Sequence, residues 1–207
     1  MAKPALNKST LQRETRQLAE YRRFLPSLEL KRLQIMAERA RAKADLARME
    51  KEFHDRFHEI ADRIPMLAND LVPLDGLVTL KAVDVGEQNL SGTILPKLGK
   101  VDVEVEPYPL LGRPHWVDPV VEALRDLIRE SLELDVMRER LKRLAEAEIV
   151  ISRRVNLFEK VLIPQAQETI RRVKMALADA ERDAVIRAKI AKRKTAARAA
   201  EGGVAEI

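Results

Sequence analysis

The chain has 207 residues, of which 3% are aromatic and 34% charged, and that balance argues against a single large globular core. It contains no cysteine, which excludes a disulfide framework, a thiolate metal site and a cysteine nucleophile together. The formal charge of +5 is modest for this length, and acidic residues are interspersed with basic ones, so bulk charge makes no case for nucleic acid.

Leu, Ala, Ile and Val interleaved with Arg, Lys and Glu are the composition of long amphipathic helices. The N-terminal stretch lacks the apolar run of a secretory signal, and no window approaches the roughly 18 apolar residues of a membrane span. The expectation is a soluble, cytoplasmic protein without a direct membrane span. Glycine and proline divide the chain: no glycine precedes Gly76 and none lies between Gly112 and Gly202. Between Pro65 and Pro119 they crowd together as Pro73, Gly76, Gly86, Gly92, Pro96, Gly99, Pro107, Pro109, Gly112 and Pro114. This predicts an N-terminal arm over 1–64, a connector over 65–118, a C-terminal arm over 119–200 and a disordered tail over 201–207.

In the first arm Leu11, Leu18, Leu25, Leu46, Phe53 and Ile60 recur as one heptad series, with Tyr21, Leu28, Ile35, Ala42 and Met49 as the second. A sustained period of 3.5 residues is a coiled-coil seam. Arg32 and Arg39 interrupt the first series, and neighbouring Leu33, Met36, Ala37 and Ala40 suggest that the seam widens or drifts there. Pro26 removes one helical hydrogen bond and crowds the preceding turn at a cost of roughly 3 kcal/mol, which predicts a kink or a break near 22–26.

Within the connector, Val78–Val85 and Val101–Glu106 alternate at period two and are rich in β-branched residues, predicting a small hairpin over about 77–106. Two strands alone are marginal in water, so the hairpin must pack on the helices or on a partner. Gly92-Thr93-Ile94-Leu95-Pro96-Lys97-Leu98-Gly99-Lys100 has a superficial likeness to a phosphate-binding loop. The spacing between its glycines is too long, and Val101 replaces the hydroxyl residue that would meet magnesium. Trp116 is expected to pack the connector onto the second arm.

That arm has a start signal in Asp118 as N-cap and Pro119 as first helical residue. Its seam runs Leu127, Leu134, Met137, Leu141, Leu144, Ile151, Val155, Phe158 and Leu162. Beyond Pro164 the stripe continues through Ile170, Val173, Leu177, Ala180 and Ala184, displaced by about four residues from the earlier heptad. At 1.5 Å per residue the arms would reach about 90 and 120 Å if unbroken. A folded connector leaves too little reach for parallel arms, so the predicted fold is mainly α, a long antiparallel two-helix coiled coil whose connector carries a short β-hairpin.

Catalytic chemistry lacks its residues. His54 and His58 lie at i, i+4 on one helix face and can in principle hold a metal, but the HExxH glutamate is missing and no third ligand stands nearby in sequence. They read as a surface pair, and no cofactor is expected. Arg187, Lys189, Lys192, Arg193, Lys194 and Arg198 form a basic cluster without the interleaved aromatics that stack on bases. It suits a solvated helix end or an acidic protein surface better than nucleic acid.

The stretch Arg153-Arg154-Val155-Asn156-Leu157-Phe158-Glu159-Lys160-Val161-Leu162-Ile163-Pro164, followed by Glu168-Thr169-Ile170 and Ala180-Glu181-Arg182-Asp183, resembles the C-terminal signature of the D subunit of V-type and archaeal-type rotary ATPases. Asn7-Lys8-Ser9 and Leu28-Glu29-Leu30-Lys31-Arg32 are similar to that family's N-terminal arm; the connector matches only in size and position. Pro26 and Phe158 depart from it, standing where relatives usually carry leucine. The resemblance implies a non-catalytic central rotor shaft, cytoplasmic and peripheral to the membrane as part of a membrane-bound complex. It implies as partners the catalytic A and B subunits, the F subunit and the component coupling the shaft to the membrane ring, with no direct nucleic acid. Outward residues near both chain ends, Arg13, Arg16, Arg187, Lys189, Lys192 and Arg193, are then the candidates for contact with the catalytic hexamer. A free-standing coiled-coil adaptor or chaperone is the competing reading.

Overall fold

The computed structural model of the chain describes residues 5–68, 74–109 and 113–202, with side chains described as far as 196 except at 67 and 68. Pro73 and Gly112 of the expected connector, the Arg198 side chain and the expected tail from 203 lie outside the described residues. The fold is mainly helical. Helix α1 spans Lys8–Arg63, and a short 3-10 turn follows at Pro65–Ala68. Strands β1 (Val78–Leu90) and β2 (Thr93–Val105) form a two-stranded antiparallel sheet, and α2 covers Val117–Leu157. A π-helical turn, Phe158–Leu162, leads into α3, Ile163–Gly202. Helix α3 therefore takes in Glu201 and Gly202, the first residues of the expected tail.

Two compact units divide these elements: one gathers the chain up to Glu29 with the chain from Arg153, the other is Leu30–Ser152. In the first unit α1 opens on Asn7, whose Oδ1 accepts the Thr10 backbone N–H at 2.8 Å, satisfying a donor that a helix start leaves free, and also the Ser9 hydroxyl at 2.9 Å. Of the kink or break expected at Pro26, the break does not occur; α1 is one helix with Pro26 inside it. A proline costs a helix one hydrogen bond and some crowding, and the packing of flanking Leu25 and Leu28, both half-buried, opposes that local cost.

The expected four-residue displacement of the second seam is also corrected. Inward positions in this unit run Val155, Phe158, Leu162, Ala166, Ile170, Val173 and Leu177, all buried or half-buried. Strict 3-4 alternation would follow Leu162 with Gln165, which is exposed, and the stripe instead resumes at Ala166, 4% exposed. One extra residue has entered the helix, and the π turn holds it: the Ile163 N–H donates to the Phe158 carbonyl, five residues back. Pro164 supplies the reason, because it has no N–H for the Lys160 carbonyl and its ring would strike that oxygen in a regular α turn. The Phe158 ring, at the start of this turn, meets Tyr21 of α1 edge-on at 5.5 Å. One turn after Pro164, Glu168 accepts from Arg171 at 2.9 and 3.1 Å and from Arg172 at 2.9 Å, bonds that hold its carboxyl below the usual range.

In the second unit α1 and α2 are antiparallel. Arg39 pairs with Glu148 at 2.7 Å, Arg138 with Glu50 at 2.9 Å, and Arg56 with Glu130, so α2 numbers fall as α1 numbers rise. Ile35 and Ala42 of α1 and Leu134, Leu144 and Ile151 of α2 are buried along this pair. Leu33, Met36, Ala37 and Ala40 do not widen the seam; all four are exposed, because none falls on either heptad series.

The hairpin is longer than its β-branched segments. Its strands run on through Gly86 and Pro96 to a two-residue turn, Ser91-Gly92, with φ of 51° and 88°. Positive φ at both positions marks the type I′ turn that matches strand twist. Pro96, paired with Glu87, is tolerated because each strand of a two-stranded sheet has a free edge. The residues with a likeness to a phosphate loop are thus the turn glycine Gly92 and the first part of strand β2. Register slips by one residue between Leu80 and Ala82 and back between Val83 and Val85, so the two bulges cancel. At the second bulge a Cβ on Gly99 would lie 2.9 Å from the Asp84 carbonyl oxygen and 2.9 Å from its carboxylate. Gly99→Ala should therefore loosen the hairpin by about 1–3 kcal/mol, seen as faster amide exchange in β1 and β2 with α2 protection unchanged.

The hairpin lies against the helix pair of its own unit. At its base Leu77 joins Ile64, Trp116, Val117, Val120 and Val121 in one buried cluster, with Ile60, Val78, Val105 and Tyr108 packed around it. At its tip the Ser91 hydroxyl donates to Gln34 of α1 at 2.6 Å. Trp116 packs the connector onto α2, as expected. Helix α2 begins two residues before the expected first position, however. Its first turn holds Asp118, which accepts from the Tyr108 hydroxyl at 2.5 Å rather than capping, and Pro119 sits where no N–H is needed. That bond raises the Tyr108 pKa.

Candidate interaction surface

The residues singled out from the sequence fall into inward and outward sets. Of the seam positions, Ile35, Leu134, Leu144, Ile151, Val155 and Val173 are buried. Leu11, Leu18, Leu25, Leu28, Leu46, Met49, Phe53, Ile60, Leu127, Met137, Leu141, Phe158, Leu162, Ile170 and Leu177 are half-buried. Of the motif residues, Val155 is 1% exposed and Ile163 half-buried, whereas Lys31, Arg153, Arg154, Asn156, Glu159 and Pro164 are exposed. Arg32 is half-buried, and its Nε is enclosed without a hydrogen-bond partner among the described residues. A buried guanidinium N–H that finds no acceptor is costly and marks a place where one is wanted.

Arg13, Arg16, Arg187, Lys189, Lys192 and Arg193 are all exposed and all belong to the first unit. Arg13 pairs with adjacent Glu14 at 3.1 Å, and Arg187 donates to the Asp183 carbonyl at 3.2 Å. From Ala178 to Thr195 every residue of α3 is exposed, its apolar positions included. Val185, Ile186 and Ile190 are 50–55% exposed beside the cations. On α1 of the second unit Leu30, Leu33 and Met36 stand out at 58, 58 and 44% exposure next to Arg32. Sequence reading missed both apolar patches as outward surfaces. The signal was present, since Leu30, Leu33 and Met36 all miss the heptad positions.

What the surface offers is recognition. Guanidinium and ammonium groups beside aliphatic side chains suit a partner that is acidic at the rim and apolar at the centre. The hairpin is anchored from within its own unit by Arg140 of α2, which donates to Glu38 of α1 at 2.6 Å and to Gln88 of β1 at 2.9 Å. Its side chain is 15% exposed, so these charge-assisted bonds are only partly screened. Arg140→Ala should lower stability by about 1–3 kcal/mol, and Arg140→Lys should recover little of it, because one ammonium nitrogen cannot stand where two separate guanidinium nitrogens meet Glu38 and Gln88; chemical denaturation of both variants checks this.

Comparison with known proteins gives a consistent picture. A family model for the ATP synthase D subunit matches residues 10–193. The chain is 30% identical over 192 residues to a V-type ATP synthase D subunit of Borreliella burgdorferi, a similarity covering 93% of this chain and 95% of that relative. It is 31% identical over 201 residues to a V-type ATP synthase D subunit of Chlamydia pneumoniae, covering 95% of each. A third relative of the same description, from Chlamydia muridarum, is 29% identical over 197 residues.

Proposed function

Since this chain belongs to the ATP synthase D-subunit family, we propose that it is the central-stalk rotor component of a V-type ATPase or ATP synthase. It transmits torque between the catalytic hexamer and the membrane ion-translocating ring. The observation that carries this reading is the extent of the family match: residues 10–193 take in α1, the hairpin, α2, the π turn and most of α3.

The physical chemistry of the chain suits the role. Torque passes through an element only if its parts do not slide past one another. In the second unit, apolar side chains along the α1–α2 pair and the cross-helix pairs Arg39–Glu148, Arg138–Glu50 and Arg56–Glu130 fix that register. A rotor must also present different side chains to successive catalytic interfaces, because only differential contact can favour one of them. The exposed face of α3, with Val185, Ile186 and Ile190 among Arg187, Lys189, Lys192 and Arg193, is the proposed contact with the catalytic A and B subunits, together with Arg13 and Arg16. The Leu30, Leu33 and Met36 patch, with Arg32 beside it, is proposed to meet another stalk component, either the F subunit or the component coupling the stalk to the ring. The chain works without catalysing any reaction itself. No described helix is long and apolar enough to cross a membrane, and the place proposed for the chain is peripheral, on the cytoplasmic side of the complex.

Removing residues 188–207 in the assembled complex tests the reading. Nucleotide hydrolysis should persist while ion translocation driven by it collapses. Unchanged coupling in a complex that retains the truncated chain would overturn it.

A further inference from the structure

Outside these surfaces, one cluster has chemistry that a rotor role does not use. His54 and His58 stand one turn apart on α1, both exposed, with their Nε2 atoms 2.9 Å apart and their rings nearly perpendicular at 88°. Phe57 lies against the His58 ring edge-on at a centroid distance of 6.2 Å and limits its freedom. We propose that this pair is a bidentate site for a divalent transition-metal ion, copper(II) or nickel(II) ahead of zinc(II).

The choice of metal follows the affinity order of imidazole sites, which rises through nickel(II) to copper(II) and falls at zinc(II), and the hydrogen-bonded spacing of the two Nε2 atoms is compatible with it. With metal–nitrogen bonds of about 2.05 Å, two donors 2.9 Å apart subtend an angle of about 90° at the ion. That is the cis angle of square-planar and octahedral coordination, the geometries of copper(II) and nickel(II); a tetrahedral zinc site needs the donors about 3.3 Å apart. Spacing i, i+4 brings both imidazoles to one face without backbone strain, and neutral imidazole is a preferred donor for these ions. The charges along this stripe balance: Asp62 stands one turn after His58 and Lys51 one turn before His54, both exposed. No group of three or more ligating side chains is assembled among the described residues, so two imidazoles form the site and water completes the coordination sphere.

Chelation across residues 54–58 would clamp the turn of α1 that precedes Ile60 and Ile64, the side chains through which the helix reaches the buried cluster. A metal that binds the folded helix and not the unfolded chain stabilises the fold by mass action.

Calorimetric titration of the full chain with Cu2+, Ni2+ and Zn2+ in a non-coordinating buffer tests the proposal. One ion per chain is expected, with Cu2+ tightest. His54→Ala and His58→Ala should each weaken Cu2+ and Ni2+ binding about tenfold or more, since each removes one arm of the chelate, and His115→Ala should leave it unchanged. His54→Gln, which keeps a polar side chain on the helix, should show the same loss with circular dichroism unaltered. Binding equally strong in the His54 and His58 variants, a loss matched by His115→Ala, or Zn2+ bound more tightly than Cu2+ would overturn it.

Discussion

Replacing Trp116 with alanine is expected to lower the free energy of unfolding by about 3–5 kcal/mol, with the hairpin rather than the helices showing the first loss of amide protection. Trp116 is 8% exposed and sits in a cluster with Ile64 from the end of α1, Leu77 from the base of β1, and Val117, Val120 and Val121 from the first turns of α2. Val117 and Val120 are 0 and 1% exposed, so little can move in to fill the space an indole vacates. A two-stranded sheet is marginal on its own, and this cluster is one place where the base of the hairpin is buried against the helices. Hydrogen exchange should therefore separate two effects. Amides of Val78–Leu90 and Thr93–Val105 should exchange much faster, while those around Leu144 change little. Trp116→Phe, which keeps most of the apolar volume, should recover the larger part of the loss. An alanine variant within about 1 kcal/mol of the native chain would mean that the hairpin is held chiefly by Arg140 and Gln34.

The second large effect is expected from the helix pair. Leu144 is 0% exposed within α2, and Leu144→Ala should cost about 2–5 kcal/mol by lost transfer free energy and the cavity left behind. Leu33 lies on α1 of the same unit and is 58% exposed, so Leu33→Ala should change stability by no more than about 0.5 kcal/mol. Chemical denaturation of the two variants checks both values. The same Leu33 substitution should weaken assembly with other stalk components if the Leu30, Leu33 and Met36 patch is partner-facing. One exchange then leaves folding intact and impairs assembly, while the other does the reverse.

Both variants bear on what makes the helix pair a mechanical element. Arg39, Arg56 and Arg138 each reach a glutamate on the facing helix, yet these side chains are between 22 and 54% exposed, and such pairs add little stability individually. Their value is in register. A slide of α1 along α2 by one turn would break all of them together with the packing at Leu134 and Leu144. The π turn acts differently, since it lets one helix carry an extra residue without losing its inward stripe, which otherwise would rotate away from the side that holds Tyr21.

Helicity, the positions that repeat every 3.5 residues, the presence of a hairpin between the arms and the packing role of Trp116 were legible in the sequence itself. Each is written in neighbouring residues: the heptad of Leu11, Leu18 and Leu25, the alternation of Val101, Val103 and Val105, and the absence of glycine from both arms are local patterns with a local physical meaning. Tertiary structure alone decided the rest, because the deciding atoms are far apart in the chain. Pro26 reads as a breaker until packing on either side of it is counted. Pro164 reads as a displacement of the seam until the π turn is seen to hold the surplus residue. Gly86, Pro96 and Gly99 read as loop residues, yet they extend two strands because Asp84 leaves room for no Cβ opposite it and the sheet has edges that need no proline N–H. Asp118 reads as a helix cap, and a tyrosine ten residues earlier claims its carboxylate. Local pattern specifies which elements form and which faces are apolar, whereas the competition among long-range contacts settles where each element starts, how it absorbs an awkward residue and what remains outward for a partner to meet.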